Sequence, residues 1–155
     1  VTFSGLGAYS DYKHLQIRYV AKNSFTNSGT NGFFVQLNGD TGSNYSYHQL
    51  SGNGSSVSSY GLGSQTSINV GRIPNSHGFD ANVFGAGVLD ILDFSSSATN
   101  STLRNFSGSK TYATPLEVSL YSGAYFNTSA ITSVTFFIPS YNLVAGSRFS
   151  LMGVK

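Results

Sequence analysis

Apolar and polar residues alternate along most of this chain with a period of two, which is typical of half-buried β-strands. Leu15, Ile17 and Tyr19 fall on one side of such a segment, whereas Gln16 and Arg18 fall on the other. The pattern predicts strands in KHLQIRYVAK, FFVQLN, YSYHQLS, SINVGRI, FGAGVLDILDF, STLRNFSG, TPLEVSLYS, ITSVTFFIP and RFSLMGVK. Helical spacing is almost absent, and only NTSAITS is predicted to form a single helical turn, capped by Asn127, Thr128 or Ser129.

Short strands separated by Gly-, Ser- and Asn-rich turns indicate an all-β fold. We therefore predict one jelly-roll or β-sandwich domain, residues 1–155, with about eight to nine antiparallel strands. No fixed repeat is present, which argues against a solenoid. Val1 is not an initiator methionine, and VTFSGL resembles the end of a strand, so we expect a further segment upstream of residue 1.

Alternation also predicts which side chains face the core. In TPLEVSLYS we expect Val118 and Leu120 to point inward with Leu116, and Glu117 and Ser119 to point outward. The residues predicted to be largely buried are Leu15, Ile17, Val35, Leu37, Val88, Leu92, Leu116, Val118, Val134, Phe136, Phe149 and Leu151.

The chain carries very little charge, and this limits its partners. Only 9% of its 155 residues are Asp, Glu, Lys or Arg, and the net charge is +2. The basic residues are scattered, so we expect no nucleic-acid partner. No apolar run approaches the ~18 residues of a membrane span, and we expect no membrane partner. The 12 Phe and 10 Tyr argue against disorder.

Candidate catalytic groups are few and dispersed. The three histidines, His14, His48 and His77, show no metal-ligand spacing, and the absence of cysteine removes thiolate chemistry. Asp90 and Asp93 are three apart on a predicted strand, so they point to opposite faces and do not form an acid/base pair. We therefore predict no catalytic site, no metal site and no cofactor.

The loop NGDTGSN offers oxygen ligands at Asp40 and Asn44, in a manner that is similar to calcium loops. An EF-hand-like loop requires a Glu at its twelfth position, where this chain has Ser51. Asn-Gly is instead a strong signal for a tight turn, and a hairpin is favoured here over a bound ion.

Tyrosine, amide and carboxylate side chains are concentrated around this loop and the strand that follows it. Rings of this kind stack on the apolar faces of sugars while amides bind hydroxyls, and the same rings are enriched at subunit interfaces. Interface packing is favoured, and sugar binding stays open. The residues predicted for this binding or interface site are Asp40, Asn44, Tyr45, Tyr47, His48 and Asn53.

Several phrases resemble a group of short β-rich virion proteins of tailed bacteriophages. They are HLQIRYVAK, NGDTGSNYSYHQLSGNGSS, FGAGVLDILDF, TSAITSVTFF and the closing FSLMGVK, and the likeness runs from about Tyr12 to Lys155. Leu37 stands where that group usually has Phe before Asn-Gly-Asp, and Val154 stands in place of Ile. The group is jelly-roll-like, and it implies no catalytic residue.

The resemblance implies a non-enzymatic virion protein, with a capsid decoration or cement protein as the first hypothesis. Its expected partners are copies of itself, most simply in a trimer that covers exposed strand edges, and other virion proteins such as the major capsid protein. The second hypothesis is a glycan- or receptor-binding module of a tail or fibre, with a host-surface glycan as partner. A glycosidase or other hydrolase is the third.

Overall fold

The computed structural model describes residues 1–112 and 117–155 and consists of strands with two short 3-10 turns, Leu6–Tyr9 and Gly78–Asp80. The strands are β1 Thr2–Ser4, β2 His14–Ala21, β3 Thr30–Leu37, β4 Tyr45–Gly52, β5 Val57–Gln65, β6 Ile68–Pro74, β7 Gly85–Leu92, β8 Ser101–Ser109, β9 Glu117–Tyr125, β10 Ser133–Phe137 and β11 Arg148–Val154. The all-β prediction is confirmed.

Two antiparallel sheets form the sandwich. The small sheet has the order β1-β10-β3-β6, and the large sheet has the order β11-β2-β7-β8-β9-β4-β5. Without the β8–β9 hairpin and β11, the orders would be β1-β10-β3-β6 and β2-β7-β4-β5, which are the two four-stranded sheets of an eight-stranded jelly roll. The hairpin and β11 together widen the large sheet to seven strands, which face the four strands of the small sheet.

The core lies between the sheets and is built around aromatic rings. Tyr19 and Phe149 come from the large sheet and Phe33 and Phe136 from the small one, with ring centroids 5.2 to 6.1 Å apart. Leu15, Ile17, Val35, Leu37, Val134 and Phe136 are buried as predicted, whereas Phe149 and Leu151 are half-buried and pack against the core.

All nine predicted strands are present, and β6 ends at Pro74, which has no amide hydrogen to donate to a neighbouring strand. The predicted strands do not include β5, because its sequence VSSYGLGSQ is rich in Gly and Ser and lacks a regular apolar alternation. This strand forms one edge of the large sheet, where eight of its nine residues are exposed. The predicted helical turn at NTSAITS is wrong: Asn127 Oδ1 instead accepts a hydrogen bond from Ser129 N at 2.8 Å in a tight turn.

In β7 the two sides are the reverse of the prediction. Leu89 and Ile91 are fully buried, whereas Val88 and Leu92 are only half-buried. Both sides of this strand carry apolar residues, so alternation by itself does not show which side faces the second sheet. The prediction that Val88 and Leu92 are core residues is wrong.

The faces of β9 are inverted as well. Val118 and Leu120 are 42% and 52% exposed, whereas Ser119 and Tyr121 are buried. The reason lies further along the strand: Gly123 accommodates Ile68 of β6, and Tyr125 stacks on Tyr45 with ring centroids 4.8 Å apart. These contacts require the odd-numbered residues of β9 to face the core. Leu116, which was also predicted to be buried, lies outside the described residues.

Candidate functional site

The predicted turn forms at Asn38 and Gly39, which both have positive φ, 55° and 66°. Asp40 N donates to Leu37 O at 3.0 Å across the turn, which has the form of a type I′ turn. The turn does not join a hairpin, however, because β3 lies in the small sheet and β4 in the large one. It redirects the chain from one sheet to the other.

Asp40 holds this loop together through both of its carboxylate oxygens. Oδ1 accepts from Gly42 N at 2.7 Å, and Oδ2 accepts from Asn44 Nδ2 at 2.9 Å and from Tyr125 Oη at 3.0 Å. The hydrogen bond from Asn44, followed by the one from Gly42, lowers the pKa of the Asp40 carboxyl. The Asp40 and Asn44 side chains therefore organise the loop.

Tyr45 and Tyr47 are core residues, 0% and 6% exposed. The Tyr45 hydroxyl donates to Asp40 O at 2.9 Å and accepts from Leu37 N at 3.1 Å, and burial raises its pKa to about 12. Rings that lie between the sheets have no face left for a partner. The expectation that these two tyrosines contact a partner at the surface is therefore wrong.

His48 and Asn53 are exposed, but they lie apart from Asp40 and Asn44. Asn53 Oδ1 accepts from the amides of Ser55 and Ser56 at 3.0 and 2.8 Å in the β4–β5 turn. This turn and the Asp40 loop stand at opposite ends of β4, an eight-residue strand roughly 25 Å long. The six predicted residues thus do not come together as one site, and a role for the exposed ones stays a prediction.

An apolar strip crosses the outer face of the large sheet, the face directed away from the small sheet. Leu50, Leu120, Phe106 and Val88 are successive cross-strand partners on β4, β9, β8 and β7, and Val118 lies beside them. Phe106 is 55% exposed and Leu50 is 49% exposed. These five residues are called the outer patch.

A polar row borders the outer patch on the same face. Gln16 Nε2 donates to Asp90 Oδ1 at 2.9 Å, and Arg104 Nε donates to Asp90 Oδ2 at 3.0 Å. The row continues through Ser122 to His48. An apolar centre beside a hydrogen-bonded polar margin is the usual organisation of a protein–protein interface.

A second exposed apolar feature, which sequence reasoning missed, lies in the loops that follow β6 and β8. Phe79 and Tyr112 are 75% and 76% exposed, with ring centroids 4.9 Å apart and ring planes inclined by 34°. We call them the aromatic pair. Their sequence signal is an aromatic residue inside a Gly- or Thr-containing loop, and nothing in the sequence shows that two such loops meet.

Within residues 1–112 and 117–155, no group of three His, Asp or Glu side chains is placed to hold a metal ion. The His14 ring lies 3.8 Å from the Asp93 carboxylate near the end of β7, and Asp90 is engaged by Gln16 and Arg104. The described part of the chain also contains no helix of the length and apolarity needed to cross a membrane.

Comparison with protein-family models, with curated proteins and with solved structures finds no match for this chain. The outer patch and the aromatic pair are therefore the features from which a function must be inferred. Both are apolar and exposed, and they lie on different parts of the sandwich.

Proposed function

We propose that this chain is a non-enzymatic structural protein of a tailed-phage particle that assembles with copies of itself through the outer patch. The observation that carries the proposal is the cross-strand row of exposed apolar side chains on the outer face of the large sheet. The resemblance of the sequence to short phage virion proteins supports the placement in a particle.

The outer patch favours association because its side chains lose contact with water when a second surface covers them. Burial of apolar surface contributes roughly 25 cal/mol per Å², and soluble monomers seldom expose a large contiguous apolar area. Here Leu120 lies between Leu50 and Phe106 in register, so the three side chains form one continuous strip. A copy of this chain supplies an equally uncharged surface to cover it.

A closed ring, most simply a trimer, covers the outer patch of every copy without growing into an open-ended filament. The edge strand β5 is exposed, but the register shift between Tyr45 and Tyr47 and the positive φ of Ser64 make it irregular. Irregular edges resist strand-to-strand pairing, which favours association through the sheet face over association through the edge. In the particle, such a ring decorates the capsid with the major capsid protein as its partner.

The self-association is tested with Leu120→Gln and Phe106→Gln, alone and together. Because both side chains are exposed, the substitutions should change the folding stability of the monomer by no more than about 0.5 kcal/mol. We expect the double variant to sediment as a monomer of 16.4 kDa under conditions in which the parent chain sediments as a trimer. Analytical ultracentrifugation across a concentration series measures this directly.

Ser122→Gln is the matched control, because Ser122 lies on the same face of the same strand but pairs with polar neighbours, His48 and Arg104. It should leave the sedimenting mass unchanged. A parent chain that sediments as a monomer at all concentrations would rule out the assembly. Placement in the particle is tested separately, by cross-linking purified phage and identifying peptides joined to the major capsid protein; cross-links to tail proteins alone would rule out a capsid role.

A further inference from the structure

The aromatic pair forms a shallow, V-shaped platform at one end of the sandwich. Phe79 comes from the 3-10 turn between β6 and β7, and Tyr112 lies three residues after Ser109, the last residue of β8. The His77 ring, 5.4 Å from that of Phe79, extends the platform on one side. Nothing in the core requires these two rings to be where they are, because three-quarters of each is exposed.

A depression of about 370 Å³ lies beside the platform. It is lined by Phe79, Asp80, Val83, Lys110, Thr111 and Tyr112. Asp80 is 1% exposed, and its Oδ1 accepts a hydrogen bond from Tyr112 N at 2.7 Å, which fastens the two loops to each other. Its other oxygen, Oδ2, is buried and has no hydrogen-bond partner within the described part of the chain.

Asp80 lines an aromatic-walled depression and carries an unpartnered carboxylate oxygen. Such an oxygen calls for a hydrogen-bond donor, because leaving a buried acceptor unsatisfied costs about 1–3 kcal/mol. A cationic donor is disfavoured by the charges present. Lys22 is buried here and donates to the carbonyl oxygens of Asp80 and Ala81, and Lys110 lines the depression. Because two lysines already lie around Asp80, an uncharged donor such as a hydroxyl is favoured over a further cation.

We propose that the aromatic pair and Asp80 form a binding site for a neutral saccharide. The flat apolar face of a pyranose ring stacks on the aromatic ring of Phe79 or Tyr112. The face of an aromatic ring carries partial negative charge, which attracts the C–H groups of the sugar. A hydroxyl on the sugar edge donates to Asp80 Oδ2, and Lys110 donates to hydroxyl oxygens at the rim. A few convergent polar groups with an apolar wall are the usual composition of a ligand site.

The site is independent of the outer patch and of the residues predicted from the sequence. It uses none of the side chains around Asp40, and self-association through the outer patch neither requires nor excludes it. Its failure would therefore leave the assembly proposal unaffected, and the reverse also holds.

The experiment is an NMR titration of the protein with cellohexaose and with chitohexaose, each to about 10 mM, the range in which weak sugar binding is measurable. We expect at least one of them to shift the aromatic signals of Phe79 and Tyr112 in a saturable manner. Phe79→Ala and Tyr112→Ala should each weaken the affinity about fivefold or more, because each removes one stacking surface. Phe79→Tyr keeps the ring and should retain binding.

Phe126→Ala is the matched control. Phe126 is an exposed phenylalanine at the opposite end of β9, a strand of nine residues, roughly 25 Å from the aromatic pair. The Phe126→Ala variant should bind the oligosaccharide as tightly as the parent chain does. The proposal is wrong if neither oligosaccharide shifts the two rings, or if Phe126→Ala weakens binding equally. It is also wrong if the two alanine variants retain sugar affinity but lose self-association, because the rings would then belong to a protein interface.

Discussion

Gly87 lies directly beneath the ring of Tyr19, its cross-strand partner in the large sheet. A Cβ atom at this position would approach the Tyr19 ring to 2.4 Å, a distance that side chains do not tolerate. The ring has little freedom to move, because Tyr19 is buried and its hydroxyl donates to Val70 O at 3.2 Å. A single residue thus fixes how closely the central aromatic cluster packs on the sheet.

Gly87→Ala is therefore expected to destabilise the fold by about 1–3 kcal/mol, the usual cost of overpacking a filled core. Gly63→Ala on β5 is the control, because a Cβ there would have no neighbour within 4 Å. Urea denaturation of both variants measures the difference in the free energy of unfolding. Equal stability of the two variants would contradict the close packing of Tyr19 on Gly87.

Asp40 gives the fold a dependence on acid pH. Its hydrogen bonds from Asn44 and Gly42 lower its pKa below 3.8, the value expected in the unfolded chain. A lowered folded-state pKa contributes stability that is present above the unfolded pKa and is lost as the pH falls through the folded value. Asp40→Asn should thus lower Tm at pH 7, and the difference from the parent chain should shrink below about pH 4.

Thermal unfolding followed by circular dichroism from pH 2 to 7 measures this dependence. Asp11→Asn, at an exposed aspartate outside the loop, serves as control and should show a smaller Tm difference from the parent chain at pH 7. A Tm difference between Asp40→Asn and the parent chain that stays constant over the whole pH range would show that the Asp40 charge does not stabilise the loop.

At the scale of the element, strand positions follow from the sequence but strand faces follow only in part. Leu15 and Ile17 alternate with polar neighbours, so only one side of β2 suits the core, and the prediction is confirmed. In β7 and β9 both sides carry apolar residues. Which side is buried depends on packing against the second sheet, and the periodicity of a single strand gives no information about that packing. The edge strand β5 was missed because exposure on both faces removes the alternation altogether.

The β8–β9 hairpin explains most of what the sequence did not reveal about the site. It enters the large sheet between β7 and β4, where it supplies Phe106 and Leu120 to the outer patch. The loop that follows β8 begins with the residues that bring Tyr112 to Phe79. The sequence predicts a site at the Asp40 loop because turn residues and tyrosines are concentrated there. In the structure the turn residues form the turn, and the tyrosines pack in the core.

At the scale of the whole molecule, polarity is distributed in an unusual way. Ser119 and Asn105 are buried on the inner face of the large sheet, whereas Leu120 and Phe106 are exposed on its outer face. A chain with only 9% charged residues has few ion pairs with which to bind a partner. Apolar contact and neutral hydrogen bonds are then the available means of association.

This distribution leads to a prediction about salt. Screening weakens interactions between exposed charges, since the Debye length falls from about 10 Å at 0.1 M to about 3 Å at 1 M ionic strength, whereas apolar contact is not weakened in this way. Self-association through the outer patch should therefore change less than about threefold in Kd between 0.1 and 1 M NaCl. Sedimentation equilibrium at both salt concentrations measures this Kd, with Arg104→Gln as the variant that removes the ion pair with Asp90 from the polar row beside the patch. Dissociation of the parent oligomer at 1 M NaCl, or its loss in Arg104→Gln, would show that ion pairs at the polar margin hold the copies together instead of the apolar strip.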